Sequence, residues 1–278
     1  MIGRSLLAAL FLILLVVANG AGQERVVTNQ LGMEFVRIEP GSMVVGRFQP
    51  TCAEPDPQAD ADPRTAWTEQ DYRRCREIVN RQASPGFTVT IQEPFYIGRY
   101  EVTQDEWRQV MGSNPSFFQG DRIEGGSGRH PVESVTWEEA LAFAKRLSEL
   151  DPEADYRLPT EFEWEYAARA GMDREPSWEE IRASAWIGLV DKGTTQPVGG
   201  KAPNAWGLYD MLGNVWEWVA DFYNGRVFPD PEPPTEGATH VLRGGSFLSD
   251  VKNATWFTHA GGPGNGFDVG LRLVREAH

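Results

Sequence analysis

The sequence predicts one mixed domain of about three helices and several short strands, loop-rich toward its C-terminal half. Three observations carry that expectation. Three Ser/Thr-x-x-Glu signatures mark helix starts, short aromatic and β-branched runs mark strands, and frequent glycine and proline from Pro197 onward interrupt anything longer. No linker long enough to divide the chain is evident and no internal repeat is present, so residues 21–278 are expected to form a single domain.

The elements follow in order along the chain. Residues 1–20 are expected to be a secretory signal: Arg4 supplies the positive start, Leu6 to Ala18 is an unbroken apolar run, and Ala18-Asn-Gly20 offers small residues for cleavage. A 13-residue run spans only about 20 Å as a helix, short of a hydrocarbon core of roughly 30 Å, so no stable membrane anchor is expected. Cys52 and Cys75 are the only cysteines. An even count in an exported chain points to one disulfide, worth about 3 kcal/mol in the chain-entropy treatment. The acidic stretch Ala53 to Arg74 between them reads as a solvated loop. Phe87 to Ile91, Phe95 to Tyr100 and Val241 to Arg243 read as strands.

Each helix start pairs a hydroxyl with a carboxylate three residues on, so that both satisfy free N–H groups: Thr103 with Glu106, Thr136 with Glu139, Thr160 with Glu163. Apolar residues at helical spacing then define the buried faces. These are Trp107 and Met111 in the first helix, Ala140, Phe143, Ala144 and Leu147 in the second, and Phe162, Tyr166 and Ala170 in the third.

The charge balance narrows the partners. Forty acidic against 26 basic side chains give a formal net charge of -14. Such a chain repels phosphate backbones and anionic lipid, so nucleic acid is not an expected partner.

Seven motifs in order identify a family. They are Gly41-Ser-Met-Val-Val-Gly46, Phe95-Tyr-Ile-Gly-Arg-Tyr-Glu-Val-Thr-Gln104, His130-Pro-Val-Glu-Ser-Val-Thr-Trp137, Tyr156-Arg-Leu-Pro-Thr-Glu-Phe-Glu-Trp-Glu-Tyr-Ala-Ala-Arg-Ala-Gly171, Trp206-Gly-Leu-Tyr-Asp-Met-Leu-Gly-Asn-Val-Trp-Glu-Trp218, Arg243-Gly-Gly-Ser-Phe247 and Gly270-Leu-Arg-Leu-Val274. The chain resembles the formylglycine-generating enzyme, or sulfatase-modifying factor, family from about residue 30 to residue 275. The resemblance implies an α+β fold related to C-type lectins, with little regular secondary structure.

Catalytic members of that family oxidise a sulfatase cysteine to formylglycine with copper(I) held by two thiolates. Counted from Gly244, those thiolates fall on Ser249 and Ala254, and neither side chain binds a soft cation. No copper is therefore expected, and formylglycine-generating activity is not expected either. Cys52 and Cys75 lie far upstream and do not replace the missing pair. The same resemblance implies a structural calcium site at Asp210, the carbonyls of Gly213 and Val215, and Glu217, a set of hard oxygen donors.

Between the Gly-Gly-Ser and Gly-Leu-Arg motifs the family places its cleft. Trp216, Ser246, Ser249, Trp256, Phe257 and Phe267 are the expected lining, with His259, Asp250 and Asp268 as candidates for acid–base work. Two functions compete. One is an exported, periplasmic or extracellular module that binds a peptide, glycan, small molecule or another exported protein. The other is a non-copper enzyme of the same family that oxidises a small molecule in the periplasm, as the pyoverdine-maturation members do.

Overall fold

The structure, a computed structural model, describes residues 24–48, 68–82, 84–174, 176–188, 193–226, 230–249, 256, 259–262 and 264–276. The expected signal at 1–20, Cys52, Asp250, Ala254 and Phe257 lie outside the described residues. Eleven described strands run in chain order: β1 Val26–Thr28, β2 Glu34–Ile38, β3 Gly41–Phe48, β4 Ser84–Ile91, β5 Phe95–Gly98, β6 Tyr156–Arg157, β7 Trp216–Phe222, β8 His240–Arg243, β9 His259–Gly261, β10 Val269–Leu271 and β11 Val274–Glu276. The helices are α1 Glu69–Gln82, α2 Gln104–Met111, α3 Trp137–Leu150, α4 Glu161–Arg169 and α5 Trp178–Ser184.

Three sheets organise these strands. An antiparallel sheet runs β1-β2-β5-β11-β6, a second runs β10-β7-β8-β9 with β10 parallel to β7, and β3 pairs with β4 in a hairpin. In the first sheet the two-residue period of a strand serves two cores at once. Phe35 and Tyr96 join a core with Trp107, Phe143 and Leu147, whereas Val36, Ile38, Phe95 and Ile97 join a second core with Trp164, Leu208 and Val219. All four residues of β5 are consequently buried.

The three anticipated helices form where their capping boxes stand. In each, the threonine accepts from the third backbone N–H and the glutamate reaches back to the cap. Trp107 of α2 stacks on Phe143 of α3 with ring centroids 4.9 Å apart, which adds about 0.5–1.5 kcal/mol beyond burial. The buried face of α4 differs from the one its apolar spacing predicts: Phe162 is only half-buried, whereas Trp164, Ala167 and Ala168 pack inward with Tyr166, and Glu161 and Glu165 point to buried cations described below.

Two helices exceed the expected three. Helix α5 starts at a fourth box of the same Ser/Thr-x-x-Glu form, Ser177 with Glu180, which the sequence reading did not pick out. Helix α1 occupies part of the stretch expected to be an acidic loop. Thr68 and Asp71 cap it reciprocally, with aspartate where the box usually has glutamate. Its mean hydropathy is low because it is a polar helix, which is why the composition read as loop.

Candidate functional site

Strand β8 delivers its chain to the Gly244-Gly245-Ser246 turn, and hydroxyl chemistry locks that turn. The Ser246 N–H donates to Ser249 Oγ at 2.9 Å, the Ser249 N–H returns to the Ser246 carbonyl at 2.9 Å, and the Ser246 hydroxyl donates to Asp268 Oδ2 at 2.7 Å. Asp268 also accepts on its carbonyl from the Trp216 N–H at 2.8 Å, so the turn and the start of β7 hold it from two sides. Three of the expected cleft residues, Ser246, Ser249 and Trp216, thus share one bonded assembly with the acid–base candidate Asp268.

Phe267 adds an aromatic face to it. Its ring lies 5.8 Å from Phe117, 5.9 Å from Phe118 and 6.4 Å from Phe247, and Phe118 meets Phe247 edge-on at 5.4 Å. Phe118 and Phe247 are buried while Phe117 and Phe267 are each 45% exposed, beside Leu248 at 43%. This is a cluster with a buried root and an apolar outer face. Its loop is fixed by Glu133, whose carboxylate accepts from the N–H groups of Phe117 and Phe118 at 3.0 and 2.8 Å. Burial raises the Glu133 carboxyl above its usual range despite those donors. The Arg122 guanidinium sits 4.4 Å over the Phe117 ring.

Trp256 and His259 belong to a different set of contacts. His259 is buried, with Nδ1 2.6 Å from Glu161 Oε1 and Nε2 2.5 Å from the Arg226 carbonyl. Both ring nitrogens are thus engaged with protein atoms, one on α4 and one on the backbone after β7, so His259 ties these segments together. Arg243, with 0% side-chain exposure, donates to Glu161 at 3.0 Å, to Glu165 at 2.6 Å and to the Trp256 carbonyl. Glu165 also pairs with Arg169. Burial opposes the charge of Glu161, yet His259 and Arg243 hold its carboxyl below the usual range.

A third cluster surrounds the expected calcium ligands. The Asp210 carboxylate accepts from the Gly199 N–H at 2.7 Å through Oδ2, while its buried Oδ1 has no hydrogen-bond partner. Burial pushes this carboxyl up to about 6. Glu217 is committed elsewhere: Arg272 donates to both of its oxygens, at 2.8 and 3.0 Å, and Trp164 Nε1 donates at 2.6 Å. Glu101 is nearby, accepting from the Asn214 amide at 2.7 Å and the Val215 N–H at 3.1 Å, and burial raises it well above the usual range. Gly213 is required by close approach, because a Cβ there would lie 2.3 Å from the Trp186 carbonyl. Among the described residues no group of three or more His, Cys, Asp or Glu is arranged to hold a metal. An ion here would depend on Asp210 Oδ1 and backbone carbonyls.

Several functional residues escaped the sequence reading. Phe117, Phe118 and Phe247 carry no periodic signal, since they sit in loops that tertiary contacts bring to Phe267. Glu101, Glu161, Glu165, Arg243 and Arg272 read as surface charges by type, yet all are buried. Their signal was their place inside the quoted motifs. Cys75 lies on α1, and no described cysteine is a free thiol.

Known proteins agree with this architecture. The chaperone protein LppX of Paenibacillus barcinonensis is 32% identical over 244 residues, covering 68% of this chain and 82% of that protein. A formylglycine-generating enzyme of Streptomyces coelicolor is 37% identical over 164 residues, covering 51% of this chain and 50% of the enzyme. The match thus spans about half the length of that enzyme. Treponema denticola variable protein 1 superposes with a TM-score of 0.69 at 26% identity, over 92% of this chain and 100% of its own. Residues 23–277 match the sulfatase-modifying factor enzyme 1-like domain, and the chain belongs to that family.

Proposed function

We propose that this protein is an exported binding module of the family, which holds a peptide segment of another exported protein, a glycan or a small molecule on its aromatic cleft without copper. One observation carries the reading. Of the two positions where catalytic relatives have thiolates, 249 carries a serine and 254 an alanine, and Ser249 forms with Ser246 a hydroxyl turn beside the Asp268 carboxylate and the exposed rings of Phe267 and Phe117. Exposed aromatic faces beside a fixed carboxylate bind by contact area and hydrogen bonding, and they offer a soft metal nothing. The similarity to a protein named as a chaperone favours a protein partner. An array of peptides and oligosaccharides probed with wild type and with a Phe117→Ser/Phe267→Ser variant tests this. Binders lost in the variant support the reading; binders retained at full strength refute it.

Calcium and a disulfide complete the proposal. Asp210 and the carbonyls of Gly213 and Val215 would hold the ion, while Glu217 stays with Arg272 and Trp164. The unpartnered, buried Asp210 Oδ1 supports that assignment. A bound calcium ion supplies positive charge to a buried acidic cluster. Cys75, which is not a free thiol, would pair with Cys52 in an oxidising compartment. Among the described residues no helix is long and apolar enough to cross a membrane.

A further inference from the structure

A pocket of about 220 Å³ shares no residue with the hydroxyl turn or the aromatic face. Four stretches of chain enclose it: the end of α4 with Met172, helix α5 through Ala183 and Ser184, the loop 202–205, and Leu208 with residues 210–212. Trp256 completes the wall. That ring was expected in the cleft, and its indole N–H is instead tied to the Arg174 carbonyl at 3.2 Å.

The pocket runs from the surface to the interior. Ala168, Leu208, Met211, Leu212 and Trp256 are buried members of the second core, whereas Ala183, Ala202, Pro203 and Ala205 are exposed and form the rim. Unbranched Met172 and Met211 let the wall adapt to what enters. A guest therefore passes small side chains at the mouth and comes to rest on core residues, enclosed on several sides.

The polar side chains of the lining set the occupant, because the protein already uses them. Asn204 donates to the Ala167 and Ala168 carbonyls at 2.8 and 3.2 Å and accepts from the Trp206 and Leu208 N–H groups. The Ser184 hydroxyl donates to the Glu180 carbonyl at 2.8 Å, and the Glu180 carboxylate accepts from two nitrogens of Arg174. Asp210 accepts from the Gly199 N–H, and its free oxygen is itself fully buried, out of a guest's reach. Water in such a space finds few polar partners, and a charged guest meets no unpaired counter-charge. We propose that this pocket takes a neutral, compact, apolar small molecule, packed on the Trp256 ring and between the two methionines. An apolar cavity of about 150 Å³ accepts benzene, so by proportion this one accepts about nine heavy atoms.

The test uses the full mature chain and 1-ethyl-4-fluorobenzene, followed by fluorine NMR. Saturable binding is expected. It should weaken about tenfold or more in Ala183→Phe, which sets a ring in the exposed mouth, and survive in Phe117→Ser/Phe267→Ser, which alters only the aromatic cleft. The 4-fluorobenzylammonium ion has the same size and a charge, and it should bind about tenfold or more weakly than the neutral probe. Absence of saturable binding, equal binding of the ammonium ion, full-strength binding in Ala183→Phe, or loss in Phe117→Ser/Phe267→Ser overturns the proposal. A dimer in sedimentation velocity that Ala183→Phe dissolves also overturns it, by giving the pocket to a side chain of a second copy. Ala205→Phe, on the loop side of the rim, repeats the test where α5 does not tolerate the ring, and the charge comparison leaves the protein unaltered.

Discussion

Replacing Arg243 with methionine is the most demanding perturbation of the interior. The guanidinium has no exposed side-chain surface and donates to Glu161, Glu165 and the Trp256 carbonyl, joining β8 to α4 and to the segment before β9. Methionine fills much of the volume but leaves two buried carboxylates facing an apolar atom. Each keeps one other partner, His259 for Glu161 and Arg169 for Glu165. That residual pairing keeps the loss within the ordinary range for breaking a buried ion pair, about 3–5 kcal/mol. For a domain of this size the melting temperature should then fall by about 6–20 °C. Calorimetry at pH 7 measures it, and urea unfolding should move the midpoint with little change in slope. Adding Glu165→Gln to Arg243→Met removes one stranded charge and should restore part of the loss. A single variant within about 2 °C of wild type would show that the buried network contributes nothing net.

Other expectations are independent of that network. Thr160→Ala removes the acceptor for the Glu163 N–H at 3.2 Å and should cost about 1 kcal/mol, read as a fall of about 2–4 °C in melting temperature. Calcium at about 100 times its dissociation constant should stabilise the protein by about 2.7 kcal/mol; Asp210→Asn should abolish the shift, and a chelator without effect on wild type would remove calcium from the account. In chelated protein Asp210 is held protonated, up to about 6 against 3.8 when unfolded. The folded state then binds the extra proton, so wild type should lose up to about 3 kcal/mol relative to Asp210→Asn as pH rises from about 4 to 6, and urea titrations in which that difference moves the other way would contradict the assignment. Intact mass after alkylation, with and without reductant, should find Cys52 and Cys75 blocked until reduced, and two freely alkylated thiols would exclude the bridge.

Local signals made much of the fold legible. The capping boxes at Thr103, Thr136 and Thr160 located three helices, since a hydroxyl and a carboxylate at that spacing have one common use. Helix α1 escaped the same reasoning, because its start falls inside the Pro-, Asp- and Glu-rich stretch that reads as a loop and its box closes with Asp71 in place of a glutamate. The two-sided burial of β5 was also hidden, because a four-residue apolar run does not tell which cores lie on either face. The motif order pointed to the stretch between the Gly-Gly-Ser and Gly-Leu-Arg motifs, where Ser246 is hydrogen-bonded to Asp268 next to Phe267. Phe117 and Phe118 reach it from a loop far away in sequence, a contact that long-range packing creates. His259 drew attention as a lone imidazole near neutral pH chemistry, but its two ring nitrogens are spent on Glu161 and Arg226.

The central claim is that the cleft binds a ligand and does not perform copper-dependent oxidation of cysteine. Incubating the protein with copper(I), oxygen and a peptide bearing a sulfatase-type cysteine motif, followed by mass spectrometry, tests it most directly. Ser249 and Ala254 provide no thiolate to hold the metal beside the substrate sulfur, so the peptide should keep its mass. Multiple turnovers to the aldehyde, absent from a heat-killed control, would contradict the claim and assign the oxidation to other residues of this cleft.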